Sequence, residues 1–221
     1  RPNLRAAPGE HGYNAFLKIA TDGRVIVAVP QAEIGQGVYT SLPQILADEL
    51  GADWRTVAVE PAPIHPLYAN RLLAEERSDG RPLTAFRGVA RWAAGEYATR
   101  TALMMTGGST SVRSFEPRLR EAGATARALL MKTAAERWDA DWETLDTVGG
   151  FVIDGPRRLS FAELAEAHPR YDFELVVVDD GSIDGTADLV VASADPAHRT
   201  VVVRLARRFG SHYAITAGFQ A

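Results

Sequence analysis

Along the first sixty residues the apolar positions change period twice. Residues 16–20 and 24–29 form two short, mainly apolar blocks around Thr21-Asp22-Gly23. Asp-Gly supplies the positive backbone angles that a tight reversal needs, so this stretch predicts a β-hairpin. From Val38 the spacing becomes helical through Leu42, Ile45, Leu46 and Leu50, and Gly51 ends the run. Pro43 is read into the first turn of this helix, where a missing N–H is harmless. A Gly-Gln-Gly loop, residues 35–37, is thereby placed at the helix start, and residues 56–60 predict a further strand.

Residues 61–105 have mixed periodicity, several Pro and Gly, and charged stretches, and read as a long surface excursion. Ser114 is expected to cap a long helix over 115–138, whose Ala-rich face with Gly123 predicts close packing against a neighbour. Residues 151–154, Gly155 and residues 158–161 predict a second hairpin. Ser160 with Glu163 forms a capping box that opens a helix over 161–167.

Beyond His168-Pro169-Arg170 the pattern changes again. Residues 173–178 are a continuous apolar, β-branched run of the kind buried in a parallel sheet. A polar loop, a helix over 186–192 and a second such strand over 200–205 complete a βαβ unit, with a last short helix expected over about 211–220. The fold expected is therefore an α+β first part followed by a small α/β βαβα part. Neither an internal repeat nor a low-complexity segment is visible.

Composition narrows the possibilities without choosing among them. A 221-residue chain with 46% hydrophobic and 24% charged residues can bury a core. Its net charge of -4 argues against non-specific nucleic-acid binding, which needs a concentrated basic surface. The absence of cysteine excludes thiolate ligation of an iron–sulfur cluster, a thiolate zinc site and a disulfide within this chain. No apolar run approaches the roughly 20 residues of a membrane span. The N-terminus has neither an initiating Met nor an apolar signal core. The chain reads as soluble and cut at its N-terminal end, and its bacterial-type compartment, cytoplasmic or periplasmic, is left open.

Two glycine loops carry the candidate chemistry of the first part. Gly35 and Gly37 let the backbone approach a bulky ligand while Gln36 offers both a donor and an acceptor. Gly107, Gly108, Ser109, Thr110 and Ser111 combine a flexible backbone with hydroxyls, which suits phosphate or pterin contacts. Taken alone, either loop reads first as a tight turn with a helix cap. Together with residues 15–19, 29–40, 47–54, 106–113 and 120–124, they resemble the molybdenum-binding large subunit of the xanthine dehydrogenase and aldehyde oxidase family, in its isoquinoline 1-oxidoreductase type, over about residues 14–164.

The resemblance implies that Gln36 hydrogen-bonds an oxo ligand of the molybdenum centre, that Gly35 and Gly37 shape its loop, and that residues 107–111 contact the molybdopterin. It further implies hydroxylation of an electron-poor carbon in an N-heterocycle or aldehyde, with a glutamate as base. That glutamate falls beyond this chain, and Glu33 is not its replacement. An iron–sulfur small subunit is the implied partner, in keeping with the missing cysteines.

In the second part Asp179, Asp180 and Asp184 follow a buried parallel strand, where open α/β sheets bind ligands. They are equally readable as turn and cap residues. The run from Glu174 to Thr186, with residues 203–210 and 214–218, resembles family 2 glycosyltransferases of the dolichol-phosphate mannosyltransferase branch. That resemblance implies a nucleotide-diphosphosugar-transferase-like unit in which the three aspartates contact a nucleotide sugar. It covers only about residues 171–221, and Arg208 stands where the branch has Asn. The first strand of that fold has no counterpart here, and its Asp-x-Asp metal motif lies past the end of the chain.

The parts are expected at 1–165 and 171–221, with the junction in 160–171. The five histidines share no metal-ligand spacing, and no metal site is expected among side chains. The leading expectation is a fragment resembling a molybdenum hydroxylase large subunit, inactive alone. The alternatives are a fragment of a glycosyltransferase using a nucleotide-sugar donor and a non-catalytic chimera.

Overall fold

A computed structural model, describing residues 4–79, 87–166, 175–192 and 200–206, separates into two units, Arg1–His168 and Pro169–Ala221. In the first, Gly23 takes φ +88° and donates its N–H to the Ala20 carbonyl at 2.9 Å. This reversal pairs β2 (Leu17–Ala20) with β3 (Val25–Val29) antiparallel, as the Asp-Gly signal predicts. An unpredicted strand, β1 (Glu10–Gly12), adds to β2, and β4 (Val57–Pro61) lies parallel to β3. Three residues reading Glu-His-Gly have no alternation to betray them. The sheet runs β1-β2-β3-β4.

Helix α1 (Val38–Leu50) connects β3 to β4 and buries Val38, Leu42, Leu46 and Leu50. Gly51 closes it at φ +75°. The helix opens early enough to put Pro43 in its second turn, not its first, so Pro43 cannot donate to the Tyr39 carbonyl.

Helix α4 (Ser111–Trp138) starts before the expected cap. Ser114 already donates its N–H to the Thr110 carbonyl at 2.8 Å, and Thr110, held by buried hydrogen bonds, occupies the N-cap position. Its close packing follows from Gly123, where a Cβ would stand 2.7 Å from the Leu46 carbonyl oxygen and 2.9 Å from Glu49 Cβ. α4 therefore rests on the backbone of α1.

The surface excursion expected over 61–105 is instead largely helical. A 3-10 turn at Pro66–Tyr68 leads to α2 (Arg71–Asp79), and α3 (Arg87–Arg100) packs against α2. Tyr68, Ala69, Asn70, Leu73 and Ala98 are buried. Charge pairing takes the place of an apolar stripe: Arg71 reaches Glu96 at 3.1 Å and Arg91 reaches Glu75 at 3.4 Å. The Tyr68 hydroxyl donates to the Ala15 carbonyl, and burial together with the nearby Glu60 charge pushes its pKa up to about 12.

A second sheet contains β5 (Asp146–Val148), β6 (Phe151–Asp154) and β7 (Arg157–Ser160), antiparallel in that order. The predicted hairpin is present with one strand added. The capping box opens α5 (Phe161–Glu166): Ser160 N–H donates to Glu163 Oε2 at 2.8 Å, and Glu163 N–H donates to Ser160 Oγ at 3.3 Å. Phe161, Leu164 and Ala165 are buried within the first unit, against α4 and β2.

In the second unit β8 (Leu175–Asp179) and β9 (Thr200–Arg204) pair in parallel, with α6 (Thr186–Ala192) between them in sequence. This is the βαβ grammar the apolar runs predict. The start of the strand expected from Phe173 and the helix expected near 211–220 fall outside the described residues. Among the described residues no helix is long and apolar enough to cross a membrane.

Candidate functional site

The first glycine loop leaves the carboxyl end of β3, a favoured ligand-binding position beside parallel strands. Gly35 and Gly37 have φ values of +94° and +85°, and open space surrounds the position of a Cβ at either. The Glu33 carboxylate shapes the loop by accepting from the N–H groups of Gly35 at 2.7 Å, Gly37 at 3.0 Å and Tyr39 at 3.0 Å. These donors, Tyr39 first and Gly37 next, hold its carboxyl below the ordinary glutamate value. Glu33 therefore acts as the acceptor that gathers the N–H groups at the start of α1.

Gln36 folds its amide back into the same loop. Its Oε1 accepts from Ile34 N–H at 2.6 Å, and its Nε2 donates to the Ala32 carbonyl at 2.8 Å. One Nε2 hydrogen and one Oε1 lone pair remain for a ligand.

The second glycine loop differs from the first in how much of it faces outward. Gly108 and Ser109 are exposed and take φ values of +61° and +53°, and Leu73 lies beneath Gly107 and Gly108. Thr110 and Ser111 are buried. Thr110 Oγ1 donates to the Gly107 carbonyl at 2.7 Å, and Ser111 Oγ approaches Gln31 Oε1 at 3.4 Å. Their hydroxyls therefore build the loop from within.

The two loops meet at one carbonyl. Thr106 Oγ1 donates to Ala32 oxygen at 2.9 Å, and the same oxygen receives Gln36 Nε2. Beneath this junction Asn70 Nδ2 lies 2.8 Å from Thr110 Oγ1 and 3.2 Å from Gln31 Oε1. Sequence reading missed Gln31 and Asn70. The available signals were slight: a Gln after the wholly apolar strand β3, and a helix-capping residue type just before Arg71.

In the second unit Asp179 and Asp180 stand at the carboxyl end of β8. Asp179 Oδ1 accepts from Ser182 N–H at 2.9 Å, and hydrogen bonding by Ser182 lowers the pKa of Asp179. Asp184 Oδ1 accepts from Thr186 N–H at 3.0 Å and from its hydroxyl at 2.6 Å, the geometry of a residue closing the turn into α6.

Other polar features serve packing. His65 Nδ1 accepts from Leu67 N–H at 3.1 Å, Lys132 lies over the Trp142 ring and Arg157 over the Trp138 ring. A groove of about 680 Å³ opens around the C-terminal half of α1, lined by Gln44, Gly51, Trp54, Arg120 and Val148, and takes in neither glycine loop.

Comparison with known proteins divides the chain in the same sense as its chemistry. Residues 3–63 match the molybdopterin cofactor-binding domain model, and residues 158–221 match that of glycosyl transferase family 2. The β subunit of isoquinoline 1-oxidoreductase from Brevundimonas diminuta is 33% identical over 150 residues, covering 66% of this chain and 16% of that protein. A membrane-bound aldehyde dehydrogenase (pyrroloquinoline-quinone) from Gluconacetobacter polyoxogenes is 27% identical over 175 residues, covering 78% of this chain and 18% of the relative.

An undecaprenyl-phosphate 4-deoxy-4-formamido-L-arabinose transferase from Pseudomonas fluorescens is 42% identical over 66 residues, 29% of this chain and 20% of the enzyme. The chain thus spans a fifth or less of the length of each of these relatives. It is two-part, with a molybdenum-hydroxylase-like portion followed by a family 2 glycosyltransferase-like portion. The glycosyltransferase match begins at Arg158, so its first residues lie in β7 and α5, which fold with the first unit.

Proposed function

We propose that the first part, residues 1–165, supplies two loops of a molybdopterin site, with Gly35, Gln36, Gly37 and residues 107–111 as its contribution. The observation that supports this most directly is the shared Ala32 carbonyl, where Thr106 and Gln36 bring two distant glycine loops together. The residues suit the cofactor. The bare backbones of Gly35 and Gly37 admit a bulky group, Gln36 retains one donor, and α4 begins beside the second loop with no acidic residue in its first turn, a favourable end for the cofactor phosphate.

The molybdenum centre supplies two-electron oxidation when bound. The chain's own task would be to orient it, with Gln36 as the side-chain donor of the first loop and the inward hydroxyls of Thr110 and Ser111 keeping the second loop in place. The whole-protein activity inferred is hydroxylation of an N-heterocycle or aldehyde, with electrons passed to an iron–sulfur small subunit. Binding, rather than turnover, is the role assigned to this stretch.

The test is the molybdenum and pterin content of the chain purified from a bacterial host that makes molybdopterin. Retained pterin is expected, with Gly37→Val lowering it by about tenfold because a branched residue resists positive φ and its side chain fills the ligand's space. Chain that carries no pterin overturns the reading.

A second reading applies to residues 171–221. The family 2 match, and the position of Asp179 and Asp180 at the carboxyl end of a parallel strand, support contact with a nucleotide sugar, with Asp184 closing the same loop. Titration calorimetry with a nucleoside diphosphate sugar is expected to show binding that Asp180→Ala removes. No heat of binding would count against it, and failure of both ligands would leave a non-catalytic chimera.

A further inference from the structure

Asn70 is fully buried, and its backbone N–H and both side-chain polar atoms are hydrogen-bonded. Its backbone N–H donates to the Leu103 carbonyl at 2.7 Å, and its Oδ1 accepts from Leu73 N–H at 3.2 Å, capping α2. Its Nδ2 faces three acceptors, Thr110 Oγ1 at 2.8 Å, Gln31 Oε1 at 3.2 Å and the Met105 carbonyl at 3.2 Å. Two hydrogens serve three acceptors, so one is shared.

The partners fix the direction of each bond. Thr110 Oγ1 gives its own hydrogen to the Gly107 carbonyl and so receives from Asn70. Gln31 directs its Nε2 at the Pro30 carbonyl, at 2.9 Å, and so turns Oε1 toward Asn70 and Ser111. Gln31 lies at the root of the first glycine loop, while Met105 and Thr110 flank the second.

We propose that Asn70 is a positioning residue for the cofactor site: as a buried donor between the roots of the two glycine loops, it sets their separation and thereby the mouth that receives molybdopterin. The assignment of the ligand rests on the function proposed above; the coupling of the two loops does not. Burial gives Asn70 this authority, since a donor network closed to water has no substitute partner when one member is changed.

Asn70→Asp separates this role from capping. Aspartate caps a helix as well as asparagine does, so α2 retains its start, but a carboxylate oxygen now faces three acceptors. In the full chain without cofactor, amide hydrogen exchange is expected to accelerate by about tenfold or more in residues 32–39 and 106–111 together, with β2, β3 and the body of α4 unchanged. Thr110→Val, which deletes one acceptor of Asn70 together with the donor to the Gly107 carbonyl, is expected to give the same two-loop pattern more weakly, and Thr110→Ser, which keeps the hydroxyl, to leave exchange as in the wild type.

Acceleration in one loop alone, or none in either variant, overturns the coupling. If Asn70→Asp loosens the whole unit, Thr110→Val decides by the same pattern. Pterin content distinguishes the two claims: wild-type chain that holds pterin, with about a tenfold loss in Asn70→Asp, supports positioning toward the cofactor. Wild-type chain that holds none, while the exchange pattern persists, rejects the ligand and keeps the coupling.

Discussion

The two units solve the problem of burial differently. In the first, Leu17, Ile19, Leu42, Leu46, Leu119 and Leu130 have no exposed surface, because α1, α4 and α5 close over β2 and β3. In the second, Ala187 is the buried apolar residue among those described, while Ile183, Leu189 and Val191 are exposed and the valines of β8 and β9 are half-buried. A parallel pair needs cover on both faces to match the burial found in complete α/β sheets. The candidate loops of the first unit therefore stand on a closed core, whereas the aspartate loop of the second follows, among the described residues, a parallel pair whose valines are half-buried.

This contrast is broken most readily by truncation in the core. Leu119→Ala is expected to destabilise the first unit by about 2–5 kcal/mol, the range for a leucine lost from a packed interior. Val177→Ala in β8 removes half-exposed surface and is expected to cost about 1 kcal/mol or less. Urea unfolding followed by tryptophan fluorescence reports the first unit, since all four tryptophans lie in it, and exchange of the β8 and β9 amides over the same urea series reports the second. Equal losses for the two variants would remove the distinction.

An effect between these two is expected at Gly51. A Cβ there would lie 2.5 Å from the Thr147 carbonyl oxygen, and φ is +75°. Gly51→Ala should therefore destabilise by about 1–3 kcal/mol through strain and forced separation of α1 from β5, measured by the shift in urea midpoint. The smallest effect sharpens the account of the first loop. Glu33 titrates below its ordinary value of 4.5, so its stabilisation is complete above that pH and is lost as pH falls through the lower folded value. Exchange of the Gly35, Gly37 and Tyr39 amides, corrected for intrinsic rates, should rise only on that acidic side. Glu33→Gln should remove the pH dependence.

Much of this arrangement is legible where local chemistry and tertiary structure agree. Asp22-Gly23 announces the first hairpin, Gly51 the end of α1, Gly123 the close approach of α4, and Ser160 with Glu163 the start of α5. The valine-rich runs likewise give β8 and β9. Helices α2 and α3 escape because their contacts are Arg71–Glu96 and Arg91–Glu75 pairs around the small residue Gly95, which leave no apolar period to read.

The candidate site follows the same rule. Its glycines are visible in sequence, but Gln31 and Asn70 are not, since their role exists only once chain segments 39 residues apart come together. Thr110 and Ser111 look like ligand-facing hydroxyls in sequence, and burial turns them inward. The start of α4 escapes the sequence for the same reason, because Thr110 is held by the distant Asn70 rather than by a local capping bond.

We propose that the two glycine loops of the first unit act as one cofactor-binding surface to which the aspartate loop of the second does not contribute. The most direct test is hydrogen exchange of the full chain with and without molybdopterin. Protection of residues 32–39 and 106–111 together, with residues 179–186 unchanged, is the result predicted. Protection of one glycine loop alone, or of the aspartate loop instead, would contradict it.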